Sequence, residues 1–218
     1  DDDNLLRQAG VPQSRLRMVR GSGVDTSVFS PGPKSPEPIC VVMATRILWD
    51  KGVGEFVEAA RSLKLAVPEV RFILVGEPDL DNPASVPKTT LKAWQEDNVV
   101  EWWGHSDAMA KIFQMAHVVC LPSYREGLPK VLIEAAACGK PIVTTDVPGC
   151  REVVRDGDNG LLVPVRDSKA LASALLRLIE NSELRTEMGK RSREIALAEF
   201  SSEHIIAQTL DIYKELVE

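Results

Sequence analysis

The sequence predicts an α/β protein: a doubly wound parallel sheet followed by a helical C-terminal extension. Two patterns carry that expectation. Between residues 39 and 165, short continuous apolar runs alternate with segments of helical spacing, as in strands covered on both faces by crossover helices. From residue 168 the alternation stops, and three helical patterns follow one another. Composition adds a third observation. With 218 residues, 44% hydrophobic and 27% charged, the chain can bury a substantial core.

The elements follow in order. "ICVVMAT" (Ile39–Thr45) is the first strand, and "VGEFVEAARSLKLAV" is a helix with an apolar stripe at Val53, Phe56, Val57, Ala60 and Leu63. "VRFILVG", "VVEWWG", "HVVCLP" and "KPIVTTD" are further strands, separated by the helical segments "KTTLKAWQED", "DAMAKIFQMA" and "PKVLIEAAACG". "VPGCREVV" starts a short helix at Gly149. The turn "DGDNG" then leads into a last strand, "LLVPV". The tail divides into "SKALASALLRLIEN", "SELRTEMGKRSREIALAEF" and "SEHIIAQTLDIYKELVE", each opened by a serine that can cap it. The first 37 residues show only a short amphipathic stretch at Asn4–Ala9 and end in the Pro-rich "SPGPKSPEP", which has the composition of a linker.

Several function classes are disfavoured. A net charge of −6 argues against a general nucleic-acid binder, although a local cationic cleft remains compatible with it. The cysteines at 40, 120, 138 and 150 form no CxxC pair and no metal-ligand spacing, so they are expected as buried thiols in a reducing, cytoplasmic compartment. The histidines at 105, 117 and 204 are scattered, with His117 expected to be structural. No apolar run approaches the roughly 20 residues that span a bilayer, and no signal peptide is visible. "GSGVDTSVF" has spaced glycines but no preceding strand, and so is not a dinucleotide fingerprint.

In open parallel sheets ligands bind beyond the carboxyl ends of the strands, so the segments after each strand are the candidate site. After the first strand, Arg46 and Lys51 flank a tight connection whose Gly52 opens a helix. Two cations beside a helix N-terminus make a phosphate site. At an effective dielectric near 20, one cation about 3 Å from a phosphate oxygen is worth roughly 5 kcal/mol before desolvation. A surface Arg and a helix-start Lys would give the same letters. After "HVVCLP" comes "SYREGLPKVLIE": Gly127 allows close backbone approach, Gly127 and Leu128 offer N–H groups, and Pro129 suits the first helical position. Glu126 can accept bonds from hydroxyls. Glu134 lies inside an otherwise apolar helix and should have a partner. A solvated loop residue and a structural ion pair are the plain alternatives. Trp103 and Gly104 end the third strand where a flat base could lie, although at least one of Trp102 and Trp103 is expected in the core.

Taken together, these residues resemble the C-terminal, donor-binding half of a GT-B retaining glycosyltransferase, family 4, of the group 1 class. The resemblance covers nearly the whole chain. It begins with "GSGVDTSVFSP", continues through the Arg…Lys-Gly motif of "RILWDKGVGEFVEAA", and is strongest over "SYREGLPKVLIEAAACGKPIVTTDVPGCREVVRDGDNGLLVPVRD". It implies a Rossmann-like domain at 38–218, with 1–37 as interdomain linker and remnant of a preceding region, and the N-terminal acceptor domain absent. It implies that Arg46 and Lys51 hold the donor diphosphate and stabilise the leaving phosphate. Glu126 with the Gly127–Leu128–Pro129 backbone would hold the sugar, Glu134 the ribose, and Trp103 and Gly104 the base. The donor would be a nucleotide-diphosphate sugar, UDP-sugar foremost, with no metal and no cofactor. The acceptor would be a glycan or lipid-linked sugar in bacterial polysaccharide or glycolipid assembly, with the full-length enzyme in peripheral contact with the inner membrane face. The chain alone is expected to bind donor weakly and transfer little, its last helix partly orphaned. The alternative is a non-catalytic nucleotide-sugar-binding or interaction module.

Overall fold

The computed structural model describes residues 2–21, 23–33 and 37–217. Positions 34–36 of the expected linker lie outside the described residues. Six parallel strands form one sheet in the order β3-β2-β1-β4-β5-β6. These are β1 (Cys40–Ala44), β2 (Arg71–Val75), β3 (Glu101–Gly104), β4 (Val118–Leu121), β5 (Ile142–Thr145) and β6 (Gly160–Val163). The strands coincide with the six apolar runs of the sequence; four are shortened at both ends, β3 keeps its end at Gly104, and β6 begins one residue early, at Gly160. β1 and β4 are buried along their whole length, as central strands covered on both faces must be.

After the N-terminal helix α1 (Asp2–Gln8), the helices of the sheet region are α2 (Val53–Ala66), α3 (Lys88–Glu96), α4 (Met109–Met115), α5 (Lys130–Ala137) and α6 (Pro148–Val153). The tail forms α7 (Ser168–Glu180), α8 (Ser182–Glu199) and α9 (Ser202–Val217). From β1 and β4 the chain runs outward in opposite directions, which under the right-handed crossover rule puts α2 on one face and α5 on the other. α7 closes over α2, and α8 closes over α5. In α2 the expected stripe of Val53, Phe56, Val57, Ala60 and Leu63 is buried, joined by Ala59. Two tail helices are capped from the residue before them: Asp167 accepts from the Ala170 N–H and Asn181 from the Leu184 N–H.

Residues 24–29, ahead of the first strand, pack against the body. Val24 is buried in the core and bridges to Ser201, while Arg193 donates to the carbonyls of Thr26 and Phe29. These ties reach far along the chain, so no local periodicity announces them. In α9 Ile205 is buried, but Ile206, Leu210 and Tyr213 are exposed. No helix among the described residues is long and apolar enough to cross a membrane. All four cysteines are free and buried, and burial pushes the thiol pKa values of Cys138 and Cys150 up to about 11. His117 is structural: its Nδ1 accepts the Cys40 N–H at 3.1 Å.

Candidate functional site

The strand order reverses between β1 and β4, and the segments after these two strands meet at the carboxyl edge of the sheet. After β1, Ile47 and Leu48 are buried and pin the connection to the core. Gly52 then turns the chain into α2 with φ +76°, a left-handed conformation suited to glycine. A Cβ there would lie 2.1 Å from the Pro122 carbonyl oxygen, so only glycine lets this turn rest against the end of β4. The Tyr124 N–H donates to the Asp50 carbonyl at 2.9 Å and locks the two segments together. Lys51 and Glu126 are thereby brought face to face. The Lys51 ammonium donates to Glu126 Oε1 at 2.7 Å, with only 17% and 13% of the two side chains exposed.

Other contacts brace this arrangement. The Thr145 hydroxyl donates to the Ser123 carbonyl, tying the end of β5 to the Glu126 loop. A Cβ on Gly149 would sit 2.0 Å from the Gly127 oxygen and 2.5 Å from the Glu126 oxygen, so the turn into α6 closes on the same loop. The Tyr124 hydroxyl donates to Glu55 Oε1 at 2.7 Å, and the Arg166 guanidinium covers its ring at 4.7 Å. Burial and the Glu55 carboxylate push the Tyr124 pKa up to about 12.

Above the rim lies an open cavity of about 1130 Å³, lined by Lys51, Glu126, Gly127, Leu128 and Gly149. Its outer wall comes from the N-terminal arm, Leu16–Gly21, an unexpected contributor. Arg17 pairs with Glu215 at 2.8 Å, and Arg20 pairs with Glu199 at 3.1 Å and Glu152 at 3.4 Å. Arg125 and Arg151 also line the space, making it cationic in a chain of net charge −6. Such a cavity suits an anion joined to a hydroxyl-bearing group. Among the described residues, no group of three or more His, Cys, Asp or Glu side chains could hold a metal ion.

The remaining expected residues are placed differently. Arg46 lies between the pinned Ile47 and the sheet, turns outward with 65% of its side chain exposed, and pairs with Asp79 at 3.3 Å. Pro129 is the N-cap of α5 rather than its first residue, because its ψ of 104° is extended rather than helical. Glu134 keeps only 14% exposure, and Lys130 one turn earlier approaches no closer than 3.9 Å. Burial therefore raises its pKa, only partly offset by Lys130. Trp103 does not reach the cavity. Its indole donates to Glu101 and its ring packs on Arg71, back at the start of β2. Strand alternation instead sends Trp102 to the other face, where it donates to the Gly76 carbonyl at 2.8 Å. Gly104, at φ +68°, accepts the Gly76 N–H, and a Cβ there would meet Glu77 at 2.9 Å.

The model of the family described as glycosyl transferases group 1 matches residues 25–195. The chain belongs to that family. Among the relatives of this glycosyl transferases group 1 chain is the N,N'-diacetylbacillosaminyl-diphospho-undecaprenol alpha-1,3-N-acetylgalactosaminyltransferase of Campylobacter jejuni. It is 31% identical over 98% of this chain and 58% of its own length. The D-inositol 3-phosphate glycosyltransferase of a Nocardioides species is 34% identical over 96% of this chain and 50% of its own. Among solved structures, Anabaena HepE in complex with UDP superposes with a TM-score of 0.86 at 22% identity, covering 97% of this chain and 61% of that one. The sucrose-phosphate synthase of Thermosynechococcus elongatus gives 0.82 at 27% identity, covering 99% and 56%. The chain thus spans between 50% and 61% of the length of these proteins.

Proposed function

We propose that this chain is the donor-binding half of a GT-B retaining glycosyltransferase, family 4, and that it holds a UDP-sugar for transfer to an acceptor in polysaccharide or glycolipid assembly. The observation that carries the proposal is the Lys51–Glu126 couple at the strand-order reversal, where the cation of one segment meets the carboxylate of the next. Lys51, backed by the N-terminus of α2, holds the diphosphate and takes up charge as the sugar–phosphate bond breaks. Arg46 joins it by leaving Asp79. Glu126 and the Gly127–Leu128–Pro129 backbone hold the sugar hydroxyls. Glu134 takes the ribose, whose hydroxyls would supply the hydrogen bonds its mostly buried carboxylate needs. With the Trp103 ring turned away, the base rests near the Gly104 backbone. The body runs from Val24 onward, and the acceptor site belongs to a second domain, so the chain alone transfers little. The reaction takes place on the cytoplasmic side, and relatives solved with UDP support the choice of nucleotide.

Thermal-shift and calorimetric titration with UDP, GDP and ADP tests this reading. Ligand at a hundred times its dissociation constant stabilises a fold by about 2.7 kcal/mol. A UDP-selective rise in Tm, lost in Lys51→Ala, is expected. No rise with any nucleotide at millimolar concentration refutes the proposal.

A further inference from the structure

Lys51 and Glu126 occupy each other: 2.7 Å apart, mostly buried, and held in place by the Gly52–Pro122 and Gly149–Gly127 contacts. Under the donor-site reading above, on which this inference rests, the same two groups serve different parts of one ligand. The ammonium serves the diphosphate and the carboxylate serves the sugar. An intact donor satisfies both at once, because phosphate oxygens replace the carboxylate on Lys51 while sugar hydroxyls donate to Glu126. The spent nucleoside diphosphate offers only the first exchange. It would leave the Glu126 carboxylate without sugar hydroxyl donors and beside a second anion, at a pair whose side chains are only 17% and 13% exposed.

We propose that the Lys51–Glu126 pair is a product-release latch: a sugar-bearing nucleotide opens it, and the pair re-forms to expel the nucleoside diphosphate. Two of the other cations lining the cavity, Arg151 and Arg20, are already paired with carboxylates of their own. Arg151 is held by Asp146 at 2.8 Å, and Arg20 is divided between Glu152 and Glu199. Arg125 stands exposed in solvent. Nor can the carboxylate withdraw with its backbone, because the Glu126 carbonyl is fixed against Gly149 and the Ser123 carbonyl is held by Thr145. Glu126 is thus a discriminator between loaded and spent nucleotide as well as a sugar contact.

The test is calorimetric titration of this chain, Glu126→Gln and Lys51→Met with UDP and with UDP-glucose. Removing the carboxylate charge is expected to tighten UDP binding about tenfold, with no such gain for UDP-glucose. The ligand-free Glu126→Gln protein should also melt lower than the parent, because Lys51 is left unpaired, and UDP should restore its Tm. Glu126→Ala should move UDP affinity the same way and covers the case of a poorly folded Gln variant. Lys51→Met should bind neither ligand. If the parent binds UDP and neither Glu126 variant binds it more tightly, the latch is refuted while the donor site stands. If the parent and all variants bind neither ligand, the donor-site reading fails and the latch with it.

Discussion

Around the strand-order reversal, Lys51, Glu126 and Gly149 sit in a frame of backbone contacts. Gly52 rests on Pro122, Tyr124 is tied to Asp50, and Gly149 meets the Gly127 carbonyl. Along the rim toward β3 the picture is reversed. Arg46 points into solvent toward Asp79, the Trp103 ring lies back on Arg71, and Gly104 contributes only backbone. One half of the candidate site is assembled before any ligand arrives, whereas the other must be collected by it. The difference has a local cause. The assembled half rests on glycines whose missing side chains allow segments to touch, a constraint that ordinary motion cannot undo. The dispersed half relies on long side chains with exposed, weakly held ends.

The sharpest way to break the assembled half is Gly149→Ala. A methyl group 2.0 Å from the Gly127 oxygen forces the α6 turn and the Glu126 loop apart. The expected loss is about 3 kcal/mol, a fall in Tm of roughly 10 °C, since overpacking against backbone has no flexible neighbour to absorb it. UDP binding should weaken in parallel. A variant with parental Tm and parental affinity would mean that the contact is soft and that the pre-assembly is not real.

Arg46→Ala probes the dispersed half and should separate stability from binding. Its pair with Asp79 is exposed, so melting should change by no more than about 0.5 kcal/mol. Affinity for UDP should nevertheless fall about tenfold or more, the worth of a charge-assisted phosphate bond. An unchanged affinity would remove Arg46 from the donor site and leave Lys51 as the phosphate cation.

The same contrast explains what could be read from the sequence. Six strands and the tail helices were legible because each shows its continuous apolar run or its helical period within a dozen residues. Lys51, Glu126, Gly127 and Leu128 were legible because they follow central strands directly. The N-terminal arm was not: Arg17 meets Glu215 and Arg20 meets Glu199 across most of the chain, and nothing local to "RLRMVR" signals those partners. The packing of Val24 on Ser201 escaped for the same reason. The direction of the Trp103 ring escaped for another reason. Alternation along β3 requires Trp102 and Trp103 to face opposite ways, but only the neighbours Gly76 and Arg71 decide which face each ring takes.

Glu134 gives the smallest and most informative effect. Burial raises its folded-state pKa above the value of an unfolded chain, and Lys130 at 3.9 Å offsets only part of this. The folded protein therefore holds this proton more tightly than the unfolded one. Above the folded pKa the charged carboxylate subtracts from stability, and the deficit disappears as pH falls through the folded pKa toward the unfolded value. Glu134→Gln should accordingly raise Tm slightly at neutral pH, with the advantage over the parent closing in acid. If the carboxylate is kept for a ribose, the same substitution should weaken UDP binding, so stability and affinity move in opposite directions. A Gln variant that melts lower than the parent at neutral pH would show that Lys130 more than repays the burial. Glu134 would then be a structural ion pair in the assembled frame rather than a group waiting for ligand.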